Sequence, residues 1–411
     1  MIDLSTYGRP VRLERRLVGR VTRIPEPDTA CREDLVLVSD APAEAWGDLA
    51  GYRALLTTRS LAECSGVLEA TSLPVICEAK QVEHLRTGDV IALAPRTGHV
   101  RTLLRPESPN NALLVTERCN SYCLMCSQPP IDREDFDLVT VNIEALRLIK
   151  PAPATLGITG GEPTLLGEHL FRLLAEMRRC LPSTHVHMLT NGRRFAWQDF
   201  TARFVAARHP HLTLGIPLYA DNAPDHDYVV QARGAFDQTM QGLHQLARFG
   251  QPVEIRVVLH ALTVPRLVDL VEFIYRNLPF AAHVALMGLE ITGFTKPNLK
   301  ILWIDPYEYQ AELRRAVEYL ALRGMNVSIY NHPLCVLPGS LWKFARKSIS
   351  DWKNIYLDAC KQCAVLERCG GLFKSAEHQH SAHIRPIFSS VACEALHPPR
   401  TASREMAVRS A

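Results

Sequence analysis

The chain has 411 residues, of which 47% are hydrophobic and 22% are charged, and its formal net charge is +3 at pH 7. A chain of this length predicts roughly two or three domains. So small a net charge gives no indication of a nucleic-acid or membrane partner, and we expect neither. The first residues show no secretory signal, and the apolar stretches are too short to cross a bilayer, which predicts a cytoplasmic protein.

Residues 1–108 are predicted to form a small β-rich domain. Short apolar runs, such as "DLVLVSD" and "GDVIALAP", alternate with turn residues, and no long amphipathic helix is evident. Two functions are open for this domain. It binds a peptide or a partner, for example by strand addition at a sheet edge, or it caps the rest of the fold.

Residues 109–300 alternate between strand-like apolar runs and amphipathic stretches of helical length. Near-continuously apolar strands are typical of a parallel sheet buried under helices. The six predicted strands span residues 112–116, 154–159, 185–190, 212–219, 253–260 and 283–290. Eight units would close a full barrel, so six predict an α/β fold with a partial (β/α)6 barrel of the TIM type.

Residues 301–375 are predicted to be a C-terminal extension. An amphipathic helix, "DPYEYQAELRRAVEYLALRGM", is followed by a strand, "NVSIYN", and then by four more grouped cysteines. Residues 376–411 form a last segment without periodicity, and its end is predicted to be disordered.

Three cysteines, Cys119, Cys123 and Cys126, lie together in "CNSYCLMC" directly after the first predicted barrel strand. Loops at the carboxyl ends of barrel strands carry the chemistry of such folds. Disulfides are rare in the cytoplasm, so grouped cysteines indicate metal or redox chemistry. Thiolates bind zinc and iron–sulfur clusters alike, and a [4Fe–4S] cluster usually has four cysteine ligands. Three ligands would leave one iron open for another molecule, and a zinc loop is the alternative.

The next two strand ends carry motifs that suit a bound ligand. "GITGGEPTLLG" places Gly160, Gly161, Glu162 and Pro163 after the second strand, where we expect exposed amides and one carboxylate to receive an ammonium group. "TNG" places Asn191 after the third strand. Ordinary turns are the alternative in both places.

A charged side chain within the fifth predicted strand needs a partner if that strand is buried. Arg256 shares a strand face with Glu254, because side chains alternate along a strand. The partner of Arg256 is therefore either a cofactor carboxylate or Glu254 itself.

The Cys-x3-Cys-x2-Cys loop, followed by these motifs, resembles the radical S-adenosylmethionine (SAM) superfamily over about residues 112–300. The resemblance implies a [4Fe–4S] cluster on the three cysteines, whose open iron chelates the amino and carboxylate groups of SAM and whose electron releases a 5′-deoxyadenosyl radical. It also implies that the Gly-Gly-Glu-Pro motif contacts the amino group of SAM, and that "MGLEITG", through Gly288 and Leu289, cradles the adenine. Met125 stands where the superfamily often has an aromatic residue, and "IPLY" lacks a serine that often contacts the cofactor.

A second set of cysteines follows the barrel: Cys335, Cys360, Cys363 and Cys369. Zinc ribbons usually have two Cys-x2-Cys knuckles, whereas only one is present here, which favours iron–sulfur and leaves zinc as the alternative. The pattern resembles the auxiliary-cluster extensions, of the twitch or SPASM kind, in radical enzymes that modify peptides. It implies one auxiliary [4Fe–4S] cluster, with Cys393 as a spare thiol or a fifth contributor.

Several segments, among them "RGAFDQTMQGLHQLARFGQPVEIRVVLH" and "NHPLCVLP", resemble the C-type radical SAM maturase of the His-Xaa-Ser peptide system. That resemblance implies hydrogen abstraction from a precursor peptide with His-Xaa-Ser repeats, a second radical maturase subunit as a possible partner, and an external reductant. Three alternatives stay open: a radical SAM enzyme acting on another protein side chain or a small metabolite, a two-cluster electron-transfer protein, and a zinc-dependent binding protein.

Overall fold

The structure is a computed structural model that describes residues 4–347, 354–377 and 379–388. Cys393 and the predicted disordered end lie outside the described residues. The strands are β1 Ser5–Tyr7, β2 Arg9–Val11, β3 Leu17–Thr22, β4 Leu35–Ser39, β5 Ala54–Thr57, β6 Val75–Cys77, β7 Val90–Leu93, β8 His99–Leu104, β9 Asn111–Leu114, β10 Thr155–Thr159, β11 His185–Leu189, β12 Leu212–Pro217, β13 Val253–Leu259, β14 His283–Gly288, β15 Val327–Tyr330, β16 Asn354–Ile355 and β17 Leu372–Phe373. The α-helices are α1 Ser65–Ala70, α2 Asp137–Leu148, α3 Glu168–Cys180, α4 Gln198–Ala207, α5 Ala223–Val230, α6 Ala235–Arg248, α7 Leu267–Asn277, α8 Leu299–Leu302 and α9 Gln310–Leu322.

The first eight strands form one mixed sheet in the order β1-β8-β7-β3-β4-β5-β6-β2. Its two outer strands are consecutive parts of one segment, residues 5–11, joined by Gly8. β1 pairs with β8 and β2 pairs with β6, so this segment closes the sheet on itself. Strand addition needs a free edge. In the described part of this sheet, β1 and β2 each pair on one side only, so strand addition is restricted to these two three-residue strands.

The N-terminal sheet packs against the helices of the parallel-sheet region. Val18, Val90 and Leu104 belong to the same buried apolar cluster as the helices of the parallel sheet. Arg16 also pairs with Asp137, the first residue of α2, over 2.7 Å. The N-terminal sheet therefore covers part of the barrel and shares its core.

The second sheet is parallel and contains seven strands, in the order β15-β14-β13-β12-β11-β10-β9. The predicted α/β class with a parallel sheet is confirmed, and all six predicted strands form with ends that differ by at most two residues. The predicted number of six is wrong, because β15, expected beyond the barrel, pairs with β14 as a seventh strand. The physical reason is that α9 serves as the crossover and that Val327 and Ile329 need burial, which the edge of β14 provides.

Alternation along β13 separates the core from the inner face of the barrel. Val253, Ile255 and Val257 are fully buried in the cluster that contains α6 and α7. Glu254 and Arg256 point to the opposite face, which is partly accessible. The carboxyl ends of these strands lie at one rim, and the first cysteine loop follows there.

None of the helices in the described part of the chain has the length and apolarity needed to cross a lipid bilayer.

Candidate metal and cofactor centres

The three cysteines of the first loop follow β9 and lie at the carboxyl rim of the parallel sheet, as predicted. All three are free and partly buried. Burial raises the pKa of Cys119 to about 11 and that of Cys123 to about 12, and it also raises the pKa of Cys126. These thiols are therefore protonated at neutral pH, and a metal centre would displace their protons on binding.

The glycines after β10 are required because the loop backbone passes directly against them. A Cβ on Gly161 would lie 2.1 Å from the carbonyl oxygen of Arg118, and one on Gly160 would lie 2.4 Å from that of Thr116. The amide of Gly161 donates to Thr116 over 2.9 Å, and the amide of Glu162 donates to Arg118 over 2.7 Å. The expectation that these two amides are exposed to a ligand is therefore wrong, because they hold the start of the cysteine loop.

Glu162 is fully buried and joins two strand ends. Its Oε1 accepts hydrogen bonds from the hydroxyls of Thr164, at 2.6 Å, and Thr190, at 2.7 Å. Its Oε2 accepts one from the backbone amide of Asn191 at 2.6 Å. Pro163 begins the short 3-10 helix that Glu162 caps. The carboxylate thus ties the end of β10 to the end of β11.

The "TNG" turn is connected directly to the cysteine loop. Asn191 donates through Nδ2 to Oδ1 of Asn120 over 2.6 Å. Arg193, a residue that sequence reasoning missed, donates to the carbonyl of Asn120 and, over 3.1 Å, to the hydroxyl of Ser121. Its Nε also donates to Gln238 over 2.7 Å. The available signal was an arginine directly after a glycine turn at the same rim.

The end of α5 holds the middle of the loop. The backbone amides of Tyr122 and Leu124 donate to the carbonyls of Val230, at 3.0 Å, and Val229, at 2.9 Å. The loop backbone on both sides of Cys123 is therefore held against the carboxyl end of α5.

The segment after β14 holds the end of the loop. The amide of Phe294 donates to the carbonyl of Cys126 over 2.8 Å, and the hydroxyl of Thr295 donates to that of Met125 over 3.2 Å. Gly293 adopts φ +51°, and a Cβ there would lie 2.3 Å from the Cys126 carbonyl oxygen. The segment after the sixth predicted strand therefore contains a turn at Gly293 that only glycine fits.

Gly288 and Leu289 lie where this segment leaves β14. Leu289 packs on the buried cluster that contains Met125 and Tyr219. Asn331, at the end of β15, donates through Nδ2 to the carbonyl of Gly288 over 3.3 Å, while its Oδ1 is buried without a hydrogen-bond partner among the described residues.

Arg256 pairs with Glu254 over 2.6 Å, which is the structural alternative predicted for it. Glu254 also accepts from Nδ1 of His283 at 2.7 Å, and Nε2 of His187 lies 3.4 Å from it. Burial opposes ionisation of Glu254, but these contacts outweigh it and hold its pKa below the ordinary value. Nη2 of Arg256 faces the sulfur of Met287 at 3.0 Å, which is a weak acceptor.

The second set of cysteines, Cys335, Cys360, Cys363 and Cys369, lines one cavity. Short 3-10 helices, Leu334–Val336, Asp358–Gln362 and Leu366–Arg368, carry or adjoin them.

Backbone amides surround the sulfurs of this cavity. The amides of Leu334 and Gly371 each donate to Sγ of Cys369 over 3.4 Å, and that of Ile387 donates to Sγ of Cys363 over 3.5 Å. Amide hydrogen bonds to sulfur are typical of protein-bound iron–sulfur clusters. The donor set therefore fits a cluster held by four thiolates. Within the described residues, no three or more His, Cys, Asp or Glu side chains are placed to hold a single metal ion.

Residues 113–274 match the family model of the Radical SAM superfamily. This stretch includes the first cysteine loop, the glycine motif and β9–β13 except for the first two residues of β9. The predicted resemblance is thereby confirmed at the level of the superfamily for these residues, and the superfamily implies a [4Fe–4S] cluster and SAM. No curated protein matches the chain.

Three solved structures are similar in chain path. SuiB from Streptococcus suis is 16% identical over 53% of this chain and 48% of its own, with a TM-score of 0.41. Native anSMEcpe with bound AdoMet is 14% identical over 69% of this chain and 93% of its own, with a TM-score of 0.47. A radical SAM methyltransferase from Sphaerobacter thermophilus is 15% identical over 61% of this chain and 74% of its own, with a TM-score of 0.39. The match thus spans about half the length of SuiB.

Proposed function

We propose that the protein is a radical SAM enzyme that modifies a ribosomally made precursor peptide with His-Xaa-Ser repeats. The enzymatic part is supported by one observation above all, the three-cysteine loop fixed at the carboxyl rim inside the superfamily match. The peptide part is supported by the sequence resemblance to the C-type maturase of the His-Xaa-Ser system. The proposal also includes an external reductant and a second radical maturase subunit as a partner.

Cys119, Cys123 and Cys126 would hold the first [4Fe–4S] cluster. When bound, that cluster supplies reductive cleavage of SAM to a 5′-deoxyadenosyl radical, which abstracts hydrogen from the peptide. The protein itself limits water access, since Met125 and Tyr219 are only 7% and 8% exposed beside the loop. A closed, apolar surround protects such a radical from side reactions.

The rim residues would orient SAM. Glu162 is fully occupied at Oε1, but its Oε2 accepts a single amide and has capacity for an ammonium group. Nη2 of Arg256 would exchange the Met287 sulfur for a carboxylate oxygen. The Gly160–Gly161 backbone, Asn191, and Gly288 with Leu289 would complete the surface against the nucleotide.

Cys335, Cys360, Cys363 and Cys369 would hold one auxiliary [4Fe–4S] cluster. With all four irons ligated by protein, this cluster has no open position for substrate. Its proposed role is therefore electron relay or structural support.

The N-terminal domain, residues 1–108, is proposed mainly as a cover for the barrel. Its shared core with the helices and the Arg16–Asp137 pair support that role. A peptide or partner would bind its surface, with strand addition restricted to the short edge strands β1 and β2. We expect a cytoplasmic protein without a nucleic-acid or membrane partner.

The substrate proposal is tested with a synthetic peptide that carries His-Xaa-Ser repeats and a matched peptide in which each histidine and serine is replaced by alanine. Both are incubated anaerobically with enzyme, SAM and reductant. We expect only the repeat peptide to increase 5′-deoxyadenosine formation, and we expect only that peptide to change in mass. An equal response to both peptides, or to neither, would contradict the peptide assignment while leaving SAM cleavage itself unaffected.

A further inference from the structure

After the last cysteine of the second set, the chain turns back over the same cavity. Ile384, Arg385 and Ile387 form one of its walls together with the four cysteines. The carbonyl of Ile387 accepts from the amide of Ala364 over 2.8 Å, and its own amide donates to Sγ of Cys363 over 3.5 Å. Ile387 therefore forms hydrogen bonds both to the backbone next to the Cys-x2-Cys turn and to a sulfur within that turn.

The same short segment also lies beside a cysteine from another part of the extension. Arg385 and Cys335 line the same cavity. Cys335 follows β15, whereas Cys363 lies 28 residues further along the chain. Arg385 and Ile387 of the returning segment thus lie beside cysteines from separate parts of the extension.

The start of the segment is anchored on the barrel side of the structure. The carboxylate of Asp305 accepts a hydrogen bond from the backbone amide of Ala382 over 3.2 Å. Ser381 is 4% exposed, and the rings of His383 and Tyr307 stack with centroids 3.8 Å apart. Asp305 and Tyr307 lie between α8 and α9, which precede β15.

We propose that residues 381–387 form a strap that closes the second cysteine site and keeps its cluster from solvent. This inference rests on the proposed auxiliary cluster. The strap provides a backbone hydrogen bond to the sulfur of Cys363, apolar cover through Ile384 and Ile387, and an anchor at Asp305. Bonds to ligating sulfurs and exclusion of water both slow the loss of a cluster to competing ligands.

The test uses a protein in which Cys119, Cys123 and Cys126 are all replaced by alanine, so that only the second site can hold iron. After anaerobic reconstitution, two truncations are compared, one ending at residue 380 and one ending at residue 388. A strong iron chelator is added and iron release is followed by absorbance. We expect the protein ending at residue 380, which lacks the strap, to release iron about tenfold faster than the one ending at residue 388.

A point variant guards against misfolding of the shorter chain. Asp305→Ala removes the anchor in the full-length protein, and Asp40→Ala, at an exposed position in the N-terminal sheet region, is its control. Faster release from Asp305→Ala alone supports the strap. Equal release from all variants, at about four irons per chain, overturns the strap but leaves the auxiliary cluster intact. Absence of iron from the triple-alanine parent overturns the auxiliary cluster and the strap together.

Discussion

Asn191 and Asn120 are joined side chain to side chain over 2.6 Å, linking the end of β11 to the first cysteine loop. Arg193 adds contacts with the carbonyl of Asn120 and the hydroxyl of Ser121. The third strand of the sheet thus restrains the same loop that the second strand supports through Gly161. This arrangement explains how a loop without regular structure keeps three thiols in place.

Replacement of Arg193 by alanine should loosen this loop. The variant loses contacts to Asn120, Ser121 and Gln238, each with a typical net worth of about 1 kcal/mol. We expect a lower midpoint of thermal unfolding and less iron bound after reconstitution. Arg276→Ala, which removes an exposed pair with Glu272, is the control and should change neither quantity. Full iron content in Arg193→Ala would contradict the restraining role.

Gly161→Ala should destabilise the fold, because a Cβ there would lie 2.1 Å from the carbonyl oxygen of Arg118. Backbone must shift to relieve such a contact, at a cost of about 1–3 kcal/mol. Urea unfolding of the metal-free protein measures the change. Gly66→Ala is the control, since nothing lies within 4 Å of its Cβ and it stands in α1, where alanine is the better helix former. The same stability for both variants would show that the close approach is not rigid.

His260 should make the stability of the protein depend on pH. It is fully buried, and burial lowers its pKa from 6.5 to about 4. The unfolded chain takes up the proton first as the pH falls, so the stabilising contribution is complete above about pH 6.5 and is lost on the way down to about pH 4. The full loss is about 3 kcal/mol by linkage.

The corresponding measurement is urea unfolding of the metal-free protein at pH 7 and at pH 4.5. His260→Gln should show a smaller difference between the two pH values than the wild type. His244→Gln, on the partly exposed face of α6, is the control and should retain the wild-type difference. An unchanged pH dependence in His260→Gln would contradict a buried neutral imidazole.

Replacement of Cys360 and Cys363 together by alanine should remove the proposed auxiliary cluster. We expect a loss of about four iron atoms per chain after anaerobic reconstitution, with the first cluster retained. Iron is measured by a colorimetric assay against protein concentration. Cys64→Ala with Cys77→Ala, which changes two buried thiols of the N-terminal domain, is the control. Unchanged iron in the Cys360, Cys363 variant would rule out this site.

The strands of the parallel sheet could be predicted because each is a short apolar run followed by an amphipathic helix. The three-cysteine loop could be placed at the rim for the same reason, since it follows the first run directly. β15 was predicted as a strand but not as a member of the sheet. In the chain, α9 separates β15 from its neighbour β14. Apolar periodicity does not show which strand pairs with β15.

Contacts between distant segments could not be predicted. Glu162 accepts hydrogen bonds from Thr190 and Asn191, which lie 28 and 29 residues later in the chain. The alternation of side chains along a strand does not identify such distant partners. Closure of the N-terminal sheet likewise depends on residues 5–11 pairing with β8 and β6, far along the chain. Such non-local pairing leaves no local pattern in sequence.

The account depends most on an iron with an open position above the three-cysteine loop, and reductive cleavage of SAM tests it most directly. Anaerobically reconstituted protein is incubated with SAM and dithionite, and 5′-deoxyadenosine is measured by chromatography. We predict product from the wild type and from Cys31→Ala, whose exposed thiol lies in the N-terminal domain, and none from Cys123→Ala. Equal product from Cys123→Ala and the wild type would contradict the account.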